Sequence, residues 1–187
     1  MACFGTFTPA TARMRRVLPV LFAFLAVAPA ALVAQTDAIP GVAAMREVPR
    51  TTFVPDPKAT YRYFWNHTDS AATGEVNPGF LAVASTYNAL RADGVPAKQI
   101  KLALVLHGRA TVDLMANAPY RARMGRDNPN IAILEQLSKA GVDIIVCGQA
   151  LFNRNVPRDD LLPFVQVARS AGYAHMILAA KGYGTTP

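Results

Sequence analysis

Cysteine is nearly absent from this chain. Two occur in 187 residues, Cys3 and Cys147. No Cys-x-x-Cys pair exists, which removes dithiol redox motifs from consideration, and no short ligand spacing points to a structural zinc site. There is no phosphate-binding P-loop and no Gly-x-Ser-x-Gly nucleophile elbow. Gly182-Tyr183-Gly184 lacks the flanking strand and helix of a dinucleotide fingerprint. Charged residues are few, at 17 %, and the basic ones are dispersed apart from Arg121, Arg123 and Arg126. That trio reads as a solvated loop, and nothing resembles a nucleic-acid footprint. No repeat or low-complexity tract is present.

What is abundant is apolar side chain, 52 % of residues, enough for a sizeable core in one domain. Part of it is local. Arg13, Arg15 and Arg16 precede a run from Val17 to Ala28, followed by an alanine-rich zone to Gln35. A basic region, a short apolar core and small residues form the pattern of a secretory signal peptide. The apolar core is too short for a membrane span of about 20 residues. Residues 1–34 are therefore expected to be a cleaved leader, cut after Ala30 or Ala34, placing the protein outside the cytoplasm, in the periplasm, with no membrane association afterwards. Of nineteen basic residues three precede Gln35, while all twelve acidic ones follow it, so the mature chain carries +4. Cys3 leaves with the leader, and an internal disulfide is then excluded for Cys147.

Residues 35–58 hold four prolines and no sustained period, and are expected to form an extended arm contributing to subunit contacts. The domain proper spans 59–187. Thr60 to His67 is aromatic-rich and reads as the first strand. Asn77-Pro78 opens a helix, since asparagine caps and proline suits the first helical position. Phe80, Val83, Ala84 and Tyr87 then fall on one face. Gln99 to Leu106 is a second strand, almost continuously apolar and so buried on both faces. Residues 109–127 are ambiguous, with a short helix over 112–116 and a basic loop over 119–127. Asn128-Pro129 repeats the helix-opening signal. Residues 142–147 form a third strand. Residues 156–163 form one helical turn between prolines, 164–168 a fourth strand, and 170–181 a last helix. The tail after Tyr183 is short and glycine-rich, too short for a further strand.

Strands alternating with helices indicate an α/β fold, a three-layer α/β/α sandwich around a mainly parallel sheet of four to five strands. Sites in such sheets form outside the carboxyl ends of the strands. His67, His107 and Cys147 each fall at such an end, so adjacent parallel strands would put all three on one rim. Cys147 reads either as a reactive thiol beside a helix N-terminus or as a small buried hydrophobe. His107 reads as an acid or base for it, or as a histidine bonded to backbone. His175 lies inside a helix and reads as a surface residue. Trp65 with Tyr61 and Tyr63 reads as core or interface.

The strand ending Val105-Leu106-His107-Gly108, the strand ending Val146-Cys147-Gly148-Gln149, the segment 156–163 between Val156 and Pro163, and Val165-Gln166-Val167-Ala168 before the last helix together resemble the DsrE/DsrF-like family. The resemblance covers Lys101 to Tyr183, with 60–92 fitting as the first βα unit. It implies an α/β/α sandwich on a five-stranded sheet and assembly into homotrimers or hexamers. In the sulfur-relay members a cysteine at this strand end carries a persulfide, a role that maps onto Cys147. The leading expectation is thus an exported sulfur carrier with Cys147 as nucleophile and His107 as proton shuttle. It would need no cofactor and would work with a sulfur-donor or acceptor protein. Two alternatives stand beside it: a non-catalytic oligomeric binding module with Cys147 buried, and a metal-binding protein using His67, His107 and Cys147.

Overall fold

The computed structural model describes residues 1–2 and 39–185, and the architecture below is that of the unit Ala31–Pro187. The expected leader beyond Ala2, Cys3 included, lies outside the described residues, as do residues 35–38 and 186–187. No helix among the described residues is long and apolar enough to cross a membrane.

Among the described residues five strands form one sheet: β1 (Tyr61–His67), β2 (Ile100–Leu106), β3 (Asp143–Cys147), β4 (Gln166–Ala168) and β5 (Gly184–Thr185). Their order is β4-β3-β2-β1-β5 and every pairing is parallel. The α-helices among the described residues are α1 (Pro78–Ala92), α2 (Asn117–Met124), α3 (Ile131–Lys139), α4 (Gly148–Asn153) and α5 (Ala171–Ala180). The α/β expectation holds. The tail corrects it in one respect, because Gly184 and Thr185 pair with Tyr63 and Phe64 as a fifth strand. Two residues suffice, since the strand only extends an existing edge.

β2 is central and buried on both faces except at Lys101, as its unbroken apolar run requires. Its side chains alternate between two cores. Leu102, Leu104 and Leu106 pack in the larger one with Phe80, Val83 and Tyr87 of α1 and Leu134 and Leu137 of α3. Ala103 and Val105 pack in the smaller one with Phe64 and with Ala174 and Leu178 of α5. The sheet is therefore the middle layer of a sandwich.

The N-terminus of α1 forms as read. Asn77 Oδ1 accepts from the Gly79 N–H at 2.9 Å, and Pro78 occupies the first position. The second such signal works differently. Helix α3 begins at Ile131 with Asn130 in the capping position and no side-chain cap. Asn128 instead donates to the carbonyls of Asp113 and Met115, while its Oδ1 accepts from Asn130.

Residues 119–127 are largely helical rather than a basic loop. A 3-10 turn covers Gly108–Leu114, and α2 follows. Pro119 is the third residue of α2, where its missing N–H costs nothing because that group has no intrahelical acceptor. Tyr120 buries its ring, Arg121 and Arg123 stay at the surface, and Arg126 is half-buried. Arg121 pairs with Asp127.

The described part of the arm, from Ile39, lies on α1. Asn88 of that helix holds both backbone polar groups of one residue: Ile39 N–H donates to Oδ1 at 2.7 Å, and Nδ2 donates to the carbonyls of Ile39 at 3.0 Å and Val42 at 2.7 Å. Ile39 is buried as a result. Farther along, Phe53 is 98 % exposed.

Candidate functional site

The register of the sheet places the strand ends side by side. His67 is level with Leu106, Leu106 with Val146, and Cys147 with Ala168. The three residues expected on the rim are therefore at its edge, but His67 does not meet the other two. Side chains alternate along a strand. His67 shares the face of Leu106 and Val146, toward the larger core. Asn66, His107 and Cys147 are one step out of phase and share the other face with Phe64 and Val105.

His67 accordingly turns to the start of α1. Its Nε2 lies 2.8 Å from Asn77 Oδ1 and its ring is 6.0 Å from that of Phe80. Asn77 is fully buried, and its Nδ2 also donates to Asp113 Oδ2 at 2.7 Å. Burial pushes the Asp113 carboxyl up to about 6, against the opposing pull of the Asn77 bond and of the charge on His67. This polar cluster links α1, the 3-10 turn and, through Asn130, the start of α3.

His107 and Cys147 line one open cleft of about 550 Å³. Arg123 of α2, Gln149 and Asn153 of α4, and Arg154 and Asn155 beyond it complete the wall. Cys147 is only 6 % exposed. It is also the capping residue of α4, whose first N–H groups lack intrahelical acceptors. The following residue must be small: a Cβ on Gly148 would sit 2.9 Å from the carbonyl oxygen of Ala168. Gly108, after His107, has φ of +60°, and a Cβ there would meet the Thr68 oxygen at the same distance.

The cleft is cationic. Arg123 donates to the carbonyls of Arg154 at 2.9 Å and Asn155 at 3.4 Å, where Asn155 adopts a φ of +50° just past α4. These contacts orient the guanidinium without neutralising it, and among the described residues no carboxylate lines the cleft. A negatively charged reactant would be favoured there.

His175 is half-buried rather than a plain surface residue. Its Nε2 lies 3.1 Å from Asn66 Oδ1, the same oxygen that His107 Nε2 approaches at 3.0 Å. Its ring lies 5.1 Å from that of Phe64. Burial lowers the pKa of His175, and the nearby His107 adds to the effect.

The family follows from comparison. The model of the DsrE/DsrF-like family matches residues 66–185, from Asn66 on the rim through β5. The chain belongs to the DsrE/DsrF-like family. No curated protein matched it. Among solved structures, this DsrE/DsrF-like chain is similar to a protein of unknown function from Methanobacterium thermoautotrophicum. That match has 20 % identity and a TM-score of 0.48, over 67 % of this chain and 97 % of the other.

The sequence reading missed Arg123, Arg154, Asn66 and His175. Arg123 was hidden in a segment taken for a loop. Asn66 could have been found, since it shares strand parity with Phe64, a strongly apolar position. Among the described residues no group of three or more His, Cys, Asp or Glu side chains is placed to hold a metal. The proposed triad of His67, His107 and Cys147 is split by the alternation of β1.

Proposed function

We propose that this protein is a single-cysteine sulfur carrier. Cys147 accepts a sulfane sulfur as a persulfide and passes it to an acceptor thiol, with His107 moving the proton. Membership of the DsrE/DsrF-like family supports a sulfur-relay role. The observation that carries the reading is that Cys147 and His107 line one cationic cleft with Arg123 and Arg154. The Cys147 thiolate attacks the outer sulfur of a donor persulfide. A new S–S bond forms on Cys147 while the donor's own S–S bond breaks. The donor sulfur leaves with the electron pair as a thiolate and takes the proton held by His107. No external oxidant or reductant enters.

Export to the periplasm and self-association into a homotrimer or hexamer belong to the same proposal. The basic, apolar and alanine-rich order of residues 13–34 supports the first. The family resemblance and the exposed Phe53 of the arm support the second.

The test is mass spectrometry of Cys147 after incubation with a persulfide donor. One added sulfur atom is expected, its loss on mixing with an acceptor thiol, and neither in Cys147→Ser. Absence of the adduct in the unsubstituted protein rejects the carrier role. The deep burial of Cys147 favours a second reading, a binding module with an inert thiol. In that case the native thiol resists alkylation and Cys147→Ser changes nothing.

A further inference from the structure

The cleft contains His107, but the cleft alone does not say which of its ring nitrogens is the base. Hydrogen bonding at the rim does. Asn66 Oδ1 lies 3.0 Å from His107 Nε2 and 3.1 Å from His175 Nε2. A carbonyl oxygen only accepts, so both nitrogens carry protons. A neutral imidazole has one N–H, and with that proton on Nε2 the lone pair stays on Nδ1.

Three features hold the arrangement. Strand alternation aims Asn66 toward α5 together with Phe64. The Phe64 ring packs beside that of His175 at 5.1 Å, fixing its plane. Helix α5 is anchored on the same face through Ala174 and Leu178, the turn flanking His175.

We infer that Asn66 and His175 are positioning residues that hold His107 in its Nε2–H tautomer and reserve Nδ1 for the proton of Cys147. The step is a simple transfer. The S–H bond of Cys147 breaks and an N–H bond forms at Nδ1, giving a thiolate and an imidazolium with no change in electron count. Asn66 accepts from Nε2–H in both protonation states, so the ring need not turn during the cycle. The purpose of this proton transfer rests on the sulfur-carrier reading; the tautomer does not.

The test is long-range proton–nitrogen NMR of the imidazole rings in the ¹⁵N-labelled protein, above the histidine titrations. Both His107 and His175 are expected to show the Nε2–H pattern. Asn66→Ala should release His107 to a mixture of tautomers, and Asn66→Asp, which keeps an acceptor, should retain the pattern. Iodoacetamide should also alkylate Cys147 in Asn66→Ala roughly threefold to tenfold more slowly near neutral pH, because less of the thiol is held as thiolate.

The Nδ1–H pattern at His107 in the unsubstituted protein would overturn the inference, because Asn66 would then present its amide to both rings. Unchanged alkylation in Asn66→Ala would overturn the link to Cys147. The unsubstituted spectrum decides the tautomer even if Asn66→Ala fails to fold. None of these measurements uses a sulfur donor, so a missing persulfide would reject the carrier role separately.

Discussion

His175 and Asn66 are 109 positions apart, and a contact of 3.1 Å ties the last helix to the end of the first strand. This tie has a pH signature. The folded pKa of His175 lies below its ordinary value of 6.5, chiefly through burial. Between those two values the unfolded chain binds more protons than the folded one, so stability rises with pH there. The contribution of His175 to stability should therefore fall on acidification below 6.5. Urea unfolding at a series of pH values should show it as the difference between the unsubstituted protein and His175→Gln.

Asp113 works in the opposite sense. Its folded value of about 6 lies above the ordinary 3.8, so the folded state binds more protons across that interval. Stability contributed by the neutral carboxyl is present below 3.8 and is lost as pH rises through about 6. Asp113→Asn keeps an oxygen for Asn77 Nδ2 and carries no charge to bury. Above the folded pKa it should stabilise the protein by about 1–3 kcal/mol, as the size of the shift allows. Comparing the two proteins by denaturant titration at neutral and mildly acidic pH checks both sign and window.

Gly148→Ala should destabilise the fold although it adds only a methyl group. The new Cβ would lie 2.9 Å from the Ala168 oxygen and 3.4 Å from that of Arg169, both backbone atoms. Relieving the overlap means parting β4 from the start of α4, at a cost of about 1–3 kcal/mol. A lowered unfolding midpoint is expected, and an unchanged one would show that the β4 edge yields freely.

Asn88→Ala should free the arm while leaving the sheet intact. It removes the acceptor for the Ile39 N–H and the donor for two carbonyls. About 1–3 kcal/mol is at stake for polar groups left without partners, less where water replaces them. Hydrogen exchange should show the Ile39 amide losing protection while the β2 amides keep theirs.

Much of the frame was legible in the residues. The unbroken apolar run of β2 announced a central parallel strand, and Asn77-Pro78 announced the start of α1 with its cap. The errors have separate physical causes. Helix α2 was obscured because Pro119 and three arginines read as a loop, although proline is harmless in a first turn. The β5 pairing was invisible because two residues carry no period. The rim was predicted correctly as a line of strand ends, and then over-interpreted. Parity within β1 decides that Asn66, and not His67, faces the same side as His107. His175, which shares Asn66 with His107, lies too far along the chain for local spacing to reveal it.

The two faces of the sheet are unequally covered. Helices α1 and α3 share the larger core, whereas among the described residues α5 is the helix that closes the smaller one, leaving Tyr173, Met176 and Ile177 exposed. Opening free energies follow buried apolar contact, so the α5 side is the weaker cooperative unit of the molecule. Asn66 and His107, at the ends of β1 and β2, meet His175 of α5 on this more thinly covered face. Transient lifting of α5 would break the His175 contact before it disturbed the strand that carries Cys147, giving the rim a way to loosen without unfolding the sheet.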